Sequence, residues 1–415
     1  MGMTAIEKLL TEKIQKPVKA GEFVYIDVDL AMANDVTAKL TFDIFFNEMQ
    51  GEKVWNSNKV KIIYDHYFPA NDLNTANTLK KIRDICMDQG IEFFENEGIC
   101  HQVMLERFVM PNQVVVGADS HTCTYGAIGA FSIGVGSTDL AAVFSLGKIW
   151  IKVPETIKIL IDGTLPNGVF AKDLILKIIG DQKASGFNYK IVEFGGSTIE
   201  EMNIHERITL CNMVIEGGAK TGYIAPDEKT KSFLKDRTNH FQIFESDKTA
   251  HFRNILYYSV DDLEPMVACP YTVDNVKPVS AVEGIKIDQA FLGSCTNGRI
   301  EDLRIAAKII KGQKIKDGIR MYVVPASIKV YQQALEEGLI KDFIEFGAVV
   351  NHPCCSNCWG ACQALLGDGE KQISSANRNF KGRNGSTLSE TYLASPATVA
   401  ASALTGKITD PRKFL

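Results

Sequence analysis

The chain has 415 residues, is 45% apolar and carries a formal net charge of −5. That length allows two or three domains with ordinary cores, and the near-balanced charge gives no electrostatic argument for a nucleic-acid or membrane partner. Its ten cysteines are too dilute for a small secreted disulfide scaffold.

The N-terminal stretch MGMTAIEKLLTEKIQKP has the pattern of a charged amphipathic helix without an apolar signal core, and Ile6 stands where a myristoylation signal has Ser or Thr. Reduced thiols and a cytoplasmic location are therefore expected. Three apolar runs follow, each ending in a polar cluster: VYIDVDL in AMANDVTA, VKIIY in DHYFPAND, and VVVGA in DSHTCTYG. Residues 75–88 read as a helix with Leu79, Ile82 and Cys86 on one face, so Cys86 is expected in the core. Cys100, Cys123, Cys211, Cys269 and Cys362 take the same structural reading. The most apolar stretch, 126–153, contains Thr138, Asp139 and Lys148 and reads as buried core, not as a membrane span.

Pro154 and the residues after it look like a boundary. Helices are expected near 171–179 and 199–217, and the charged stretch 227–250 suggests an exposed surface. A third block begins near Pro278. Its strand over 285–292 leads to Cys295, and a helix is expected from Thr296 or Asn297, with Glu301 and Asp302 in its first turn. MYVVPAS and IEFGAVV read as two further strands before the cysteine pair. No internal repeat or low-complexity tract is evident. The alternation makes the class α/β, with domains expected at 1–153, 154–283 and 284–415.

Three cysteines carry the strongest chemical signal: Cys295 in FLGSCTNGR, then Cys355 and Cys358 in NHPCCSNCWG. Each set follows an apolar run at an expected strand-to-helix turn, where free N–H groups favour thiolates. Three thiolates can hold three corners of an iron–sulfur cubane and leave one iron open. Zinc, with Cys354 or His352 as a fourth ligand, is the alternative. Asp65-His66 follows a strand, and an aspartate beside an imidazole raises its basicity; alone such a pair is common. His101 has apolar neighbours and reads first as a core histidine. Asp119-Ser120-His121 places three functional side chains together. Asn212 and Glu216, four apart on a helical pattern, share a face. Arg378 and Arg383, with Asn377 nearby in NRNFKGR, suit carboxylate or phosphate recognition; the bland reading is an exposed basic loop.

GADSHTCTYGAIGAF, GSCTNGR, the C-x-x-C pair and NRNFKGR occur in the order found in the aconitase superfamily. The tail TYLASPATVAASALTGKITDP resembles that of the large subunits of 3-isopropylmalate dehydratase and homoaconitase type. The resemblance runs from DLAMANDVTA to the C-terminus. Two departures stand out: Asn34 replaces the glutamine of mitochondrial-type aconitases, and Cys354 and Ser356 occupy the glycine places of the family's usual P-G-C-G-x-C.

This resemblance implies a three-domain α/β core around a central iron–sulfur site, without the swivelling domain of full-length aconitases. It implies one 4Fe-4S cluster per subunit on Cys295, Cys355 and Cys358. His66 with Asp65 would handle the leaving hydroxyl, and His101, Asp119, His121 and Glu216 would surround the water at the open iron. Asn34, Ser120, Arg378 and Arg383 would contact carboxylates, Asn297 and Asn377 would lie near the cluster, and Asn212 would line the site. The Gly-Ser-Ser-Arg loop that carries the family's serine base is absent from the sequence, so the base is expected from a separate small subunit. The implied substrate is a small hydroxy di- or tricarboxylate. The implied reaction is the non-redox interconversion of 2- and 3-isopropylmalate of leucine biosynthesis. Homoaconitase, or a hydro-lyase of citramalate or dimethylmalate, is the alternative. An RNA-binding regulator fits the acidic balance poorly, and an electron carrier fits an open iron poorly.

Overall fold

In this computed structural model, residues 2–238, 240–360 and 363–415 are described. Cys362 lies outside them. By packing the chain forms two compact units. One holds the residues up to Glu95 with Val103–Asp162 and Phe187–Tyr258; the other holds Asn96–Gln102, Gly163–Gly186 and Ser259–Leu415. No helix among the described residues is long and apolar enough to cross a membrane.

The first unit opens on the expected amphipathic helix, Ala5–Ile14. Thr4 and Glu7 form a capping box, and Ala5, Ile6, Leu9 and Leu10 are buried. Its main sheet has five parallel strands in the spatial order Glu92–Phe94, Val60–Ile63, Leu30–Asn34, Val114–Gly117, Phe131–Gly134. The chain builds outward in one direction from Leu30–Asn34, then returns to build on its other side. The reversal falls between Leu30–Asn34 and Val114–Gly117. Every residue of these two strands is buried, as a sheet covered on both faces requires. The stretch expected as the polar end of the first run is itself a strand. VYIDVDL divides into Phe23–Asp27, paired with Lys148–Lys152, and the start of Leu30–Asn34. A second sheet in this unit orders Thr221–Tyr223, Ile191–Gly195, Thr156–Asp162 and Asn254–Ser259.

The helix expected over 75–88 spans Leu73–Gln89, with Leu79, Ile82 and Cys86 buried on one face. That expected over 199–217 breaks into three: Ser197–Glu201, Ile204–Met213 with Asn203 as N-cap, and a tighter 3₁₀ turn Val214–Gly217. Asn212 and Glu216 therefore lie on different helical segments, and the one-face argument from a four-residue spacing fails in its geometry. The charged stretch 227–250 is only partly exposed. Asp227 caps Glu228–Leu234, holds the buried Arg207 guanidinium at 2.6 Å, and Phe244 joins the core.

The second unit is built on a seven-stranded sheet: Val276–Pro278, Met266–Ala268, Glu390–Leu393, Lys371–Ser374, Gln289–Leu292, Arg320–Val323, Val349–Val350. The last five of these are mutually parallel; the first two are antiparallel additions at one edge. Helices Ile300–Ile310, Leu339–Phe346 and Pro396–Thr405 bury their apolar faces in its core. Two expectations are corrected here. IEF of the expected strand IEFGAVV closes the helix Leu339–Phe346, and Gly347 in a left-handed conformation ends it, leaving a two-residue strand. The helix after Cys295 starts at Ile300, not at Thr296 or Asn297, because Ser294–Asn297 forms a separate short turn.

Candidate functional site

In both units the chemically active side chains follow the carboxyl ends of parallel strands, where an open α/β sheet binds ligands. Each unit brings its own set together.

In the first unit, Asn34 ends its strand and caps the next helix. Its Oδ1 accepts from the Val36 and Thr37 N–H groups at 3.1 and 3.0 Å, and its Nδ2 donates to Asp119 Oδ2 at 3.2 Å. Asp119 lies two residues beyond the strand Val114–Gly117, on the other side of the reversal point, and caps the 3₁₀ segment Ser120–Ile128. Gly117 allows the strand to approach that segment, since a Cβ there would lie 2.4 Å from Thr122 Oγ1. After Val60–Ile63 comes Asp65, whose Oδ1 lies 2.7 Å from His66 Nδ1. The opposite ring nitrogen, Nε2, lies 3.9 Å from Asp119 Oδ2. Asp35 holds this turn, accepting from the backbone N–H groups of His66 at 2.9 Å and Tyr67 at 2.6 Å. Burial by itself would lower the His66 pKa. Asp65, through charge and hydrogen bond, with Asp35 and Asp119, outweighs that and raises it to about 10. Asp35 itself is pushed up, first by burial and then by the Asp65 charge.

His121 continues the set. Its Nδ1 lies 3.8 Å from Asp119 Oδ1 and its Nε2 is 3.0 Å from Glu216 Oε1. Ser120 Oγ is 3.5 Å from His121 Nδ1. Glu216 is buried and reaches the imidazole from the 3₁₀ turn. Asn212 supports the segment, donating to Thr124 Oγ1 at 2.9 Å while its carbonyl accepts from the Cys123 thiol. Asp65, His66, Asp119, Ser120, His121, Glu216, Asn34 and Asn212 thus form one connected group. Asp35 was missed; its only signal was a second acid next to Asn34.

In the second unit, Cys295 follows Gln289–Leu292, Cys355 and Cys358 follow Val349–Val350, and Asn377 and Arg378 follow Lys371–Ser374. Asn377 spans two of the thiols: its Nδ2 donates to Cys295 Sγ at 3.5 Å, and its Oδ1 accepts from Cys358 Sγ at 3.3 Å. Cys295 and Cys355 share an apolar cluster with Ile99, Ala326 and Trp359. The three sequence-predicted thiols therefore gather. Cys354 is fully enclosed and receives a long contact from Gln363 Nε2 at 3.9 Å. His101, on the helix Cys100–Arg107, lies buried two residues beyond Ile99. All cysteines among the described residues are buried and outside any disulfide, so the core reading of Cys86, Cys100, Cys123, Cys211 and Cys269 holds.

Both ligand turns carry unusual backbone. Ser294 has φ +85° and Ser356 has φ +46°, in a region that L side chains rarely adopt. Arg383 lays its guanidinium over the Trp359 ring at 5.6 Å, and its Nε is buried with no hydrogen-bond partner among the described residues. This is a donor left available for an acidic ligand. Two buried cations behind the thiols were missed. Arg299 donates to the Cys295 carbonyl at 2.7 Å. Lys172 donates to the Ser375 and Ala376 carbonyls at 2.8 and 2.6 Å and to Asn297 Oδ1 at 3.4 Å. Burial draws the Lys172 pKa down to about 7 against the lift from Cys358 and nearby acids. A sequence signal existed: Lys172 shares the helical stripe of Ile175, Leu176 and Ile179, an apolar face on which a lysine is out of place.

Models of the aconitase family (aconitate hydratase) match residues 7–284 and 277–406. The chain belongs to the aconitase family. A Methanosarcina mazei protein named probable 3-isopropylmalate dehydratase large subunit is 49% identical over 99% of this chain and 100% of its own length. The Methanopyrus kandleri 3-isopropylmalate dehydratase large subunit 1 is 47% identical, with full coverage of both chains. A second M. mazei protein, named probable methanogen homoaconitase large subunit, is 49% identical over 94% of this chain and 99% of its own. Among solved structures, Thermococcus kodakaraensis aconitase X in its holo-form shares the fold at a TM-score of 0.51 and 12% identity, covering 94% of this chain and 97% of that one. Family membership implies an iron–sulfur cluster, and a buried group of soft thiol donors suits one.

Proposed function

We propose that this chain is the cluster-bearing large subunit of a 3-isopropylmalate dehydratase, a hydro-lyase interconverting 2- and 3-isopropylmalate without net redox change. The carrying observation is the gathering of the three cysteines at one sheet end, with Asn377 spanning Cys295 and Cys358, in a chain nearly half identical over full length to proteins of that name. One 4Fe-4S cluster would be held by Cys295, Cys355 and Cys358. When bound, that group supplies a Lewis-acidic open iron for a substrate hydroxyl and carboxylate.

The chain's own residues supply the rest. His66, kept as imidazolium by three acids, donates the proton that the departing hydroxyl requires, and Asp65 fixes its ring. His121 Nε2 lies 3.0 Å from Glu216 Oε1, a pair that can exchange a proton with the returning water, and Asp119 lies beside the same imidazole; His101 is a further acid–base group by family resemblance. Arg383, with Arg378 beside it in sequence, binds substrate carboxylate, and stacking on Trp359 fixes its orientation. Ser120 and Asn34 add polar contacts for carboxylate, and Asn212 and Asn297 hold the turns that carry the reacting groups. The base that removes the carbon-bound proton comes from a separate small subunit, consistent with the large-subunit names of the relatives. The enzyme works on a small hydroxy acid in the cytoplasm, with no nucleic-acid or membrane partner.

Homoaconitase is the second reading, carried by the 49% identity to a protein of that name. The deciding experiment reconstitutes the chain anaerobically, pairs it with its small subunit, and assays 2-isopropylmalate, homocitrate, citramalate and dimethylmalate. Turnover of 2-isopropylmalate well above the others is expected. A preference for homocitrate replaces the first reading with the second. Zinc uptake without iron sinks both.

A further inference from the structure

We propose that Lys172 is the built-in counter-charge of the thiolate site, a positioning residue that holds the bound cluster's negative charge inside the fold. The inference rests on the cluster assignment above. Lys172 is fully buried. Its ammonium is bonded by three neutral oxygens, and among the described residues no carboxylate lies within ion-pair reach of it. The nearby acids are engaged elsewhere. Asp173 accepts from the Phe170 and Met266 N–H groups at 2.9 and 2.8 Å, and Asp302 accepts from Asn297 Nδ2 and the Arg299 N–H, both at 2.9 Å. A buried ammonium without an ionic partner is costly, and an apolar side chain would fill the helix face at no such cost.

The missing partner follows from what surrounds the ammonium. The acidic groups around it are Cys358, Asp302, Asp173 and Cys295, and of these the two carboxylates are already held by the N–H groups named above. The oxygens that hold Lys172 belong to the same turns: Ser375 and Ala376 lead directly into Asn377, which spans Cys295 and Cys358, and Asn297 closes the Cys295 turn. One ammonium thereby ties the two turns together and faces the thiols. Three thiolates around an iron–sulfur core are net anionic, so a bound cluster brings the negative charge that this ammonium offsets.

The test uses the reconstituted chain with Lys172→Met, Lys172→Gln and Lys172→Arg, read by iron release to a chelator and by the midpoint potential of the cluster. Loss of the positive charge disfavours the reduced, more negative state. The reduction equilibrium should shift by about tenfold toward the oxidised form in K172M and K172Q, about 59 mV for a one-electron couple. Iron release should also quicken, and K172R should stay nearest wild type. K172Q retains a hydrogen-bond donor without the charge. A wild-type potential in K172Q, or in K172M, overturns the proposal and leaves a packing role. Should K172M not fold, K172Q against K172R decides. A wild-type chain that takes up no iron defeats the cluster assignment itself, a failure visible before any variant is compared.

Discussion

The five-stranded sheet of the first unit and the parallel part of the second unit's sheet share one strand order. Counted from the first strand of each in the chain, it is 3-2-1-4-5. In both, the reversal between strands 1 and 4 carries residues that touch: Asn34 and Asp119 in one, Cys295 and Asn377 in the other. The chemistry placed there is opposite. The first unit surrounds an imidazole with carboxylates and so keeps it cationic. The second surrounds thiols with buried Lys172 and Arg299 and so suits them as anions. Topology selects the place, because strand ends at a reversal leave a crevice between diverging connections. Residue type then selects the charge.

The sharpest way to break this comparison is at the thiols. Cys295→Ser and Cys358→Ser should each abolish iron binding after anaerobic reconstitution, and Cys354→Ser should retain about four irons per chain. Iron retained in C358S but lost in C354S would move the ligand set by one residue. Next in size is the imidazole. His66→Ala should lower kcat by about 10²–10⁴-fold while substrate still perturbs the cluster spectrum; a change confined to KM would remove its proton-donor role. Arg383→Ala should weaken binding and turnover together, by about 1.5–3 kcal/mol for a lost charged hydrogen bond. Arg383→Lys should not restore it, since an ammonium lacks the stacked planar fork.

A smaller effect reads the first unit's charge directly. The folded pKa of His66 is raised to about 10, above an ordinary value of about 6.5. Its stabilising contribution is therefore complete below about pH 6.5 and is lost as pH rises toward 10. Urea midpoints of the cluster-free chain should show a decline across that window which His66→Ala lacks; equal declines in both would refute the imidazolium. The smallest effect concerns the second unit's backbone. Ser356→Gly should raise stability by up to about 1 kcal/mol, because glycine adopts the left-handed region without a Cβ penalty. A lower melting temperature in that variant would show that the serine side chain compensates for its conformation.

Much of this was legible from residue order. Strand runs ending in polar clusters located Asp65, His66 and Asp119, and the C-x-x-C pair with Cys295 located the thiols, because polar side chains at strand ends fall in short turns that local sequence records. The helix over 199–217 and the strand IEFGAVV were misread where tertiary packing overrode periodicity: a 3₁₀ turn brings Glu216 to His121, and Gly347 ends a helix where β-branched residues suggested a strand.

The sequence alone determined the α/β class and picked out the three thiols and the polar clusters that follow the strands, since each depends on residue type at short range. Only the tertiary structure decided that Asn377 spans Cys295 and Cys358, that Asp35 and Asp119 help charge His66, and that Lys172 lies buried behind the thiols. Those relations join residues tens to hundreds of positions apart. They arise from how parallel strands are ordered, and strand order is set by the packing of whole sheets, which no local pattern contains.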